Sequence, residues 1–190
     1  MKISFLSICL FFYSVFMYSQ QTVLCSIKTS LGIIEVQLYP EQAPLTVSNF
    51  LQYTDKGAYT NSSFFRVCNP ENEANREVKI EVIQGGNVSQ ENMLPPIPLE
   101  TTQKTGILHK DGVISMARST PDSATSSFFI CVNDQPELDF NGKRNLDGKG
   151  FAAFGKVMKG MDIVVRIQSL ESQDQYLTKP VIIETITRMK

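Results

Sequence analysis

GVISMARSTPDSATSSFFICV, residues 112–132, holds two compact apolar runs, Gly112–Ala117 and Ser127–Val132, separated by a polar segment. Both runs have the length of a strand, not of a helix. The form recurs along the chain. TVLCSIKTS and GIIEVQLYP read as a β-hairpin around Ser30, Leu31 and Gly32, with Ile34, Val36 and Leu38 alternating against polar neighbours. SSFFRV (62–67), VKIEVIQGG (78–86), FAAFGKV (151–157) and PVIIETITRM (180–189) read as further strands. Two segments read as helices. In APLTVSNFLQYTDKG, Pro44 lies near the start, Val47, Phe50 and Leu51 fall at helical spacing, and Gly57 closes the segment. GMDIVVRIQSL (160–170) is the second, shorter one. Short strands with two isolated helices fit an antiparallel barrel or sandwich with covered ends better than a βαβ repeat.

The connections are polar. Cys68–Glu77 is rich in Asn and Glu and reads as a loop. MLPPIPLETTQKTG (93–106) reads as an extended surface loop, because its prolines lack the amide donors a sheet interior needs. With neither repeat nor linker in view, residues 22–190 are expected to form one domain.

The N-terminus, MKISFLSICLFFYSVFMYSQQ, stands apart. Lys2 precedes an apolar run, Ile3–Tyr18, and small Ser19 follows it, so residues 1–20 are expected to be a signal peptide of an exported, periplasmic or secreted chain. The run of about 16 residues is shorter than the roughly 20 that span a bilayer. A retained anchor is the alternative, and then the membrane contact is through this segment alone. A lipoprotein reading at Cys25 is disfavoured by Val23 and Leu24 before it.

Composition excludes several classes. Hydrophobic residues make up 42% of the 190, too many for wholesale disorder. With 18 basic and 19 acidic side chains, a net charge of −1 and no basic run, nucleic acid is not an expected partner. After the leader, Cys25, Cys68 and Cys131 remain and cannot all pair; buried thiols with at most one bridge are expected. No Cys-x-x-Cys or His/Cys spacing points to a metal. His109 is the only histidine and sits in the polar turn LHKDG, where a solvated side chain is expected, so nucleophile–histidine chemistry has no base. Gly85-Gly86 lacks the third glycine and the helix of a dinucleotide site. DFNGKRNLDGKG (139–150) has its first glycine at the wrong place for a calcium loop and no acid at its end.

What remains is Arg66, directly after two phenylalanines, a glutamine before Gly-Gly, and further phenylalanines. Arg66 is either a strand-end surface residue, half of an ion pair, or the working group of a site.

FFRV, VIQGG, GVISMARSTPDSATSSFFICV and FAAFGKVMKGMDIV, in that order between Val23 and Thr187, resemble the cyclophilin family of peptidyl-prolyl isomerases, especially its exported bacterial branch. The resemblance implies a closed eight-stranded antiparallel β-barrel capped by two α-helices. It also implies rotation about X-Pro bonds in proline-containing polypeptides, with no metal or cofactor, by a chain expected to be a monomer. By motif, Arg66 takes the place of the catalytic arginine and Gln84 that of the glutamine orienting it or the substrate carbonyl. Ala117, followed by Arg118, lies where the residue before proline rests. Phe129 and Leu138 line the proline pocket, with Val82 beside Gln84 and Phe151 at a position where the family has His or Tyr.

The chain departs from the family pattern at Glu81, Val82, Ser127, Glu137 and Phe151. Glu81 and Glu137 stand where aromatics are usual, and either carboxylate has the charge to pair with Arg66 and occupy it. A proline-peptide-binding module or chaperone with little or no turnover therefore stands as the alternative to an isomerase.

Overall fold

In the computed structural model, whose described residues are 22–189, the first hairpin forms where the alternation places it. Strands β1 (Val23–Thr29) and β2 (Gly32–Leu38) pair antiparallel, with Cys25 opposite Val36 and Ile27 opposite Ile34, all four fully buried. The leader read at residues 1–20 lies outside the described residues.

Seven further strands follow: β3 (Ser62–Cys68), β4 (Val82–Gly85), β5 (Val113–Met116), β6 (Phe128–Cys131), β7 (Ala152–Lys159), β8 (Ser172–Gln173) and β9 (Tyr176–Arg188). They pair in the order β1-β2-β7-β5-β6-β4-β3-β9, and β9 returns to β1. Eight strands thus close into an antiparallel barrel, leaving two-residue β8 as an appendix on β9. Closure leaves no open edge, and an eight-stranded barrel is narrow enough for its own side chains to fill.

Phe64, Phe128, Phe154 and Met116 fill the interior together with the aliphatic residues of β1 and β2. Helix α1 (Pro44–Asp55) lies over one end, and its fully buried Phe50 meets Phe128 and Phe154 with ring centroids 5.5 and 5.3 Å apart. A one-turn helix, α2 (Thr102–Thr105), forms inside the proline-rich stretch expected to be wholly loop. Helix α3 (Met161–Gln168) buries Val164 and Ile167 and packs against β2, β3 and β4. The strand expected over 78–86 is shorter, because only Val82–Gly85 pairs with neighbours.

Gly85 and Gly86 serve packing. A Cβ at Gly85 would lie 2.7 Å from the Phe64 ring; one at Gly86, where φ is +78°, would lie 2.6 Å from the Phe128 ring.

The start of α1 shows how a distant loop completes a local element. Pro44 fits the first helical turn, but Ala43 has no side chain able to cap it. Buried Glu100, from the proline-rich loop, supplies the missing acceptor: its Oε2 receives the Thr46 backbone N–H at 2.8 Å and the Thr46 hydroxyl at 2.7 Å. A carboxylate at a helix N-terminus is also favoured by the helix dipole. Glu100→Ala is expected to cost about 1–3 kcal/mol by leaving these donors unsatisfied, read from denaturant unfolding. A change within error would mean that the cap contributes nothing.

Candidate active site

Two rows of residues run across the same strands on opposite faces. Phe64, Gly85, Phe128 and Met116 lie opposite one another on β3, β4, β6 and β5 and form the inner row. Arg66, Gln84, Phe129 and Ser115 form the next row, on the outer face. In a regular strand Phe64 and Arg66 would share a face. A bulge between them, beside Phe65, inserts one residue and turns Arg66 outward.

All eight residues singled out from the sequence line one cavity of about 310 Å³ on this outer face: Arg66, Val82, Gln84, Ala117, Arg118, Phe129, Leu138 and Phe151. Val82, Phe129 and Leu138 belong to a small apolar cluster, separate from the barrel interior, that includes Ile80, Cys68 and Cys131 and has Ala117 and Phe151 packed against it. The Phe129 and Phe151 rings meet edge to face at 5.3 Å. The cavity thus has an apolar floor and a charged wall.

His109 supports that floor from below and is not the solvated turn residue its sequence context implies. It is 1% exposed. Asp139 Oδ1 receives its backbone N–H at 2.9 Å and lies 2.7 Å from Nδ1, while Nε2 lies 3.0 Å from Ser115 Oγ. Its ring stacks on Phe129, with centroids 5.9 Å apart. Polar neighbours in sequence mislead here because the partners that make burial tolerable are supplied by other segments.

Arg66 is half-buried and held on two sides. Its Nη1 donates to Gln84 Oε1 at 2.7 Å, and its Nε and Nη2 donate to Gln175 Oε1 at 2.9 and 2.6 Å. Neither Glu81 nor Glu137 occupies it. Glu81 reaches Asn133 across the surface, and Glu137 Oε2 accepts the Lys143 backbone N–H. Glu137 O also accepts the Arg144 backbone N–H, which fixes the turn that carries Arg144 and Asn145 to the cavity wall.

The other two arginines of the wall have anionic partners. Arg118, with a side chain 1% exposed, forms a fork with Asp147 at 2.8 and 2.9 Å and donates from Nε to Gly150 O at 2.7 Å. Its guanidinium also lies over the Phe151 ring, 5.2 Å from the centroid. Arg118 therefore shapes the wall, with its charge matched by Asp147. The Arg118 hydrogen bonds, followed by the Lys149 backbone N–H, hold the Asp147 carboxyl down at about 2. Arg144 pairs with fully buried Glu73 at 2.5 Å. Arg66 alone among these three is held by neutral amides.

Gln175, Glu73, Arg144 and His109 carry no motif that singles them out in the sequence; each is brought in by pairing with a distant segment. The three described cysteines are free and buried, with no bridge among them. Cys68 and Cys131 both lie opposite Val82, one from each side. Two strand spacings, about 9–10 Å, put them beyond disulfide reach. Burial pushes the Cys25 and Cys68 thiols to about 11 and Cys131 well above its ordinary value, so none is a nucleophile at neutral pH. Among the described residues, no group of three His, Cys, Asp or Glu is placed to hold a metal ion, and no helix is long and apolar enough to cross a membrane.

Known proteins share this arrangement of strands and sequence. Peptidyl-prolyl cis-trans isomerase A of Dickeya dadantii is 35% identical over 174 residues, covering 86% of this chain and 83% of its own length. Peptidyl-prolyl cis-trans isomerase B of Escherichia coli is 33% identical over 167 residues, covering 84% and 95%. A cyclophilin type peptidyl-prolyl cis-trans isomerase of Cryptosporidium parvum superposes with a TM-score of 0.71 at 20% identity, covering 90% of this chain and 99% of its own, and shares the fold. A second crystal structure of that protein was obtained in the presence of the dipeptide Ala-Pro. The family described as cyclophilin type peptidyl-prolyl cis-trans isomerase matches residues 24–188. On its fold, its site and this match over nearly all of the described chain, the protein belongs to the cyclophilin-type peptidyl-prolyl cis-trans isomerase family.

Proposed function

We propose that this chain is a peptidyl-prolyl cis-trans isomerase, with Arg66 as the catalytic residue and the apolar floor as the seat of the substrate proline. The observation that carries the reading is a guanidinium held by two amide oxygens at the wall of an apolar cavity. Rotation about a peptide bond meets a barrier of about 18–20 kcal/mol because resonance stiffens the C–N bond. Nothing needs to be cleaved. In the twisted state the proline nitrogen regains a lone pair and accepts a hydrogen bond that the planar amide does not.

Arginine has five N–H donors in a planar fork and remains charged at working pH. Three of them hold Arg66 to Gln84 and Gln175, and one on each terminal nitrogen remains for the substrate. A donor that engages only the twisted amide lowers the barrier without tightening the ground state. Gln84 gives its oxygen to Arg66 and keeps its Nε2 to donate to the carbonyl before the proline. Phe129, Leu138, Val82 and Phe151 receive the ring, and Ala117 leaves room for the preceding residue.

Exchange spectroscopy on an X-Pro peptide tests the reading. Arg66→Ala is expected to lower kcat/KM by about a hundredfold, in the range found when one oriented transition-state donor is removed. Arg66→Lys should lose nearly as much, because a point charge cannot bridge Gln84 and Gln175. A wild type that binds the peptide without accelerating exchange would leave a proline-binding module instead.

Asp147 bears on the wall through Arg118. Its carboxyl is held down, so the pair contributes fully above the ordinary carboxylate value of 3.8 and loses its contribution as pH falls through about 2. The pair is worth about 1 kcal/mol or less. The unfolding free-energy difference between wild type and Asp147→Asn should stay constant from pH 7 to about 4 and vanish toward pH 2. A difference that persists unchanged into acid would assign it to something other than this ion pair.

The clients are placed among exported proteins on the apolar leader at residues 1–20. Expressed in a Gram-negative host, the chain should be recovered from the periplasm with its N-terminus near Gln20. Recovery from the cytoplasm with Met1 intact would remove that setting.

A further inference from the structure

The cavity has a support that the family motifs do not include. The Asn-rich loop after β3 is tightly built. The Asn69 and Asn72 side-chain oxygens each accept the other residue's backbone N–H at 2.9 Å, and Asn72 Nδ2 donates to Val67 O at 3.1 Å. The loop delivers Glu73 into a fully buried position. There its carboxylate takes Arg144 Nη1 at 2.5 Å and Nη2 at 3.1 Å, and Arg144 Nη1 also donates to Val78 O at 2.6 Å. On its other side Glu73 Oε1 accepts from Gln175 Nε2. The Gln175 backbone is pinned as well, its carbonyl accepting the Val67 N–H at 2.8 Å. A single chain of hydrogen bonds thus runs from Arg144 through Glu73 and Gln175 to Arg66.

Direction matters in this chain. A primary amide presents an oxygen on one side and two N–H groups on the other. Arg66 has only donors, so it is held only if Gln175 turns its oxygen inward. An ionised carboxylate only accepts, and Glu73 therefore takes the Nε2 side and fixes that orientation. With the amide reversed, donors would face donors at Arg66 and acceptors would face acceptors at Glu73.

We propose that Gln175 and Glu73 are positioning residues for Arg66, with Gln175 holding the guanidinium directly and Glu73 setting the orientation of the Gln175 amide. The kinetic part rests on the isomerase reading. The position of Arg66 is read independently, through the Nε–Hε resonance of its guanidinium.

The test follows that resonance, assigned by its loss in Arg66→Lys, together with kcat and KM for an Ala-Pro peptide, in Gln175→Ala and Glu73→Gln. Both substitutions are expected to shift or broaden the resonance and lower kcat about tenfold. That is less than the roughly hundredfold that a misplacement of about 1 Å can cost. KM should stay within about twofold, since the apolar floor is untouched. In the double variant Glu73→Gln with Gln175→Glu, residue 73 donates and residue 175 accepts, so a sharp resonance should return. Unmoved resonances with wild-type kcat in the single variants would overturn the inference. Should Glu73→Gln fail to fold with Arg144 unpaired, Gln175→Ala, which leaves the Glu73–Arg144 pair in place, decides alone. A catalytically inactive wild type would sink the isomerase reading, whereas a displaced Arg66 resonance in Gln175→Ala would still uphold the positioning role.

Discussion

One extra residue in β3 decides what the outer face of this barrel can do. The bulge between Phe64 and Arg66 leaves Phe64 in the interior against Phe128 and turns Arg66 to the opposite side. Without it, the guanidinium would enter a barrel packed with aromatic and aliphatic side chains, at the cost of several kcal/mol that attends an unpaired buried charge. With it, the interior stays apolar and the charge stands over a separate apolar surface. The inner row then constrains the outer one. Gly85 and Gly86 let Phe64 and Phe128 come close, and that approach sets the position of Gln84 beside Arg66.

The arginines and the histidine around the site are held by partners from far along the chain. His109 ties Asp139 to Ser115 beneath Phe129, so the floor rests on hydrogen bonds as well as on apolar contact. Arg118 and Asp147 fasten the 141–150 loop against Phe151. Glu73 fastens the loop after β3 to Arg144 and Gln175. These contacts quench the charges of two wall arginines and leave that of Arg66, which neutral amides orient without neutralising. In the proposed role, a donor fixed in this way would need little reorganisation when the substrate twists.

Four of the five departures from the family pattern have local explanations here. Glu137 acts through hydrogen bonds to the Lys143 and Arg144 backbones and so organises the loop that brings Arg144 and Asn145 to the cavity. Phe151 meets Phe129 edge to face and carries Arg118 on its ring, which keeps aromatic surface at the floor. Val82 is 2% exposed within the same apolar cluster as Phe129 and Leu138. Glu81 lies at the surface with Asn133, away from Arg66.

By itself the sequence determined the strands, the two longer helices and the candidate residues, because alternation, helical spacing and motif are local properties of the chain. Ile34, Val36 and Leu38 announce a half-buried strand whichever strands lie beside it, and FFRV with VIQGG names the pair Arg66 and Gln84. Only the tertiary structure decided which way Arg66 points, since a bulge exists only relative to the strand opposite. It likewise decided that His109 is buried, that Glu100 caps α1, and that Glu73 and Gln175 stand behind Arg66. Each of these depends on a hydrogen-bond partner 30 to 109 residues away, and a polar side chain in sequence does not reveal whether water or a distant residue will satisfy it.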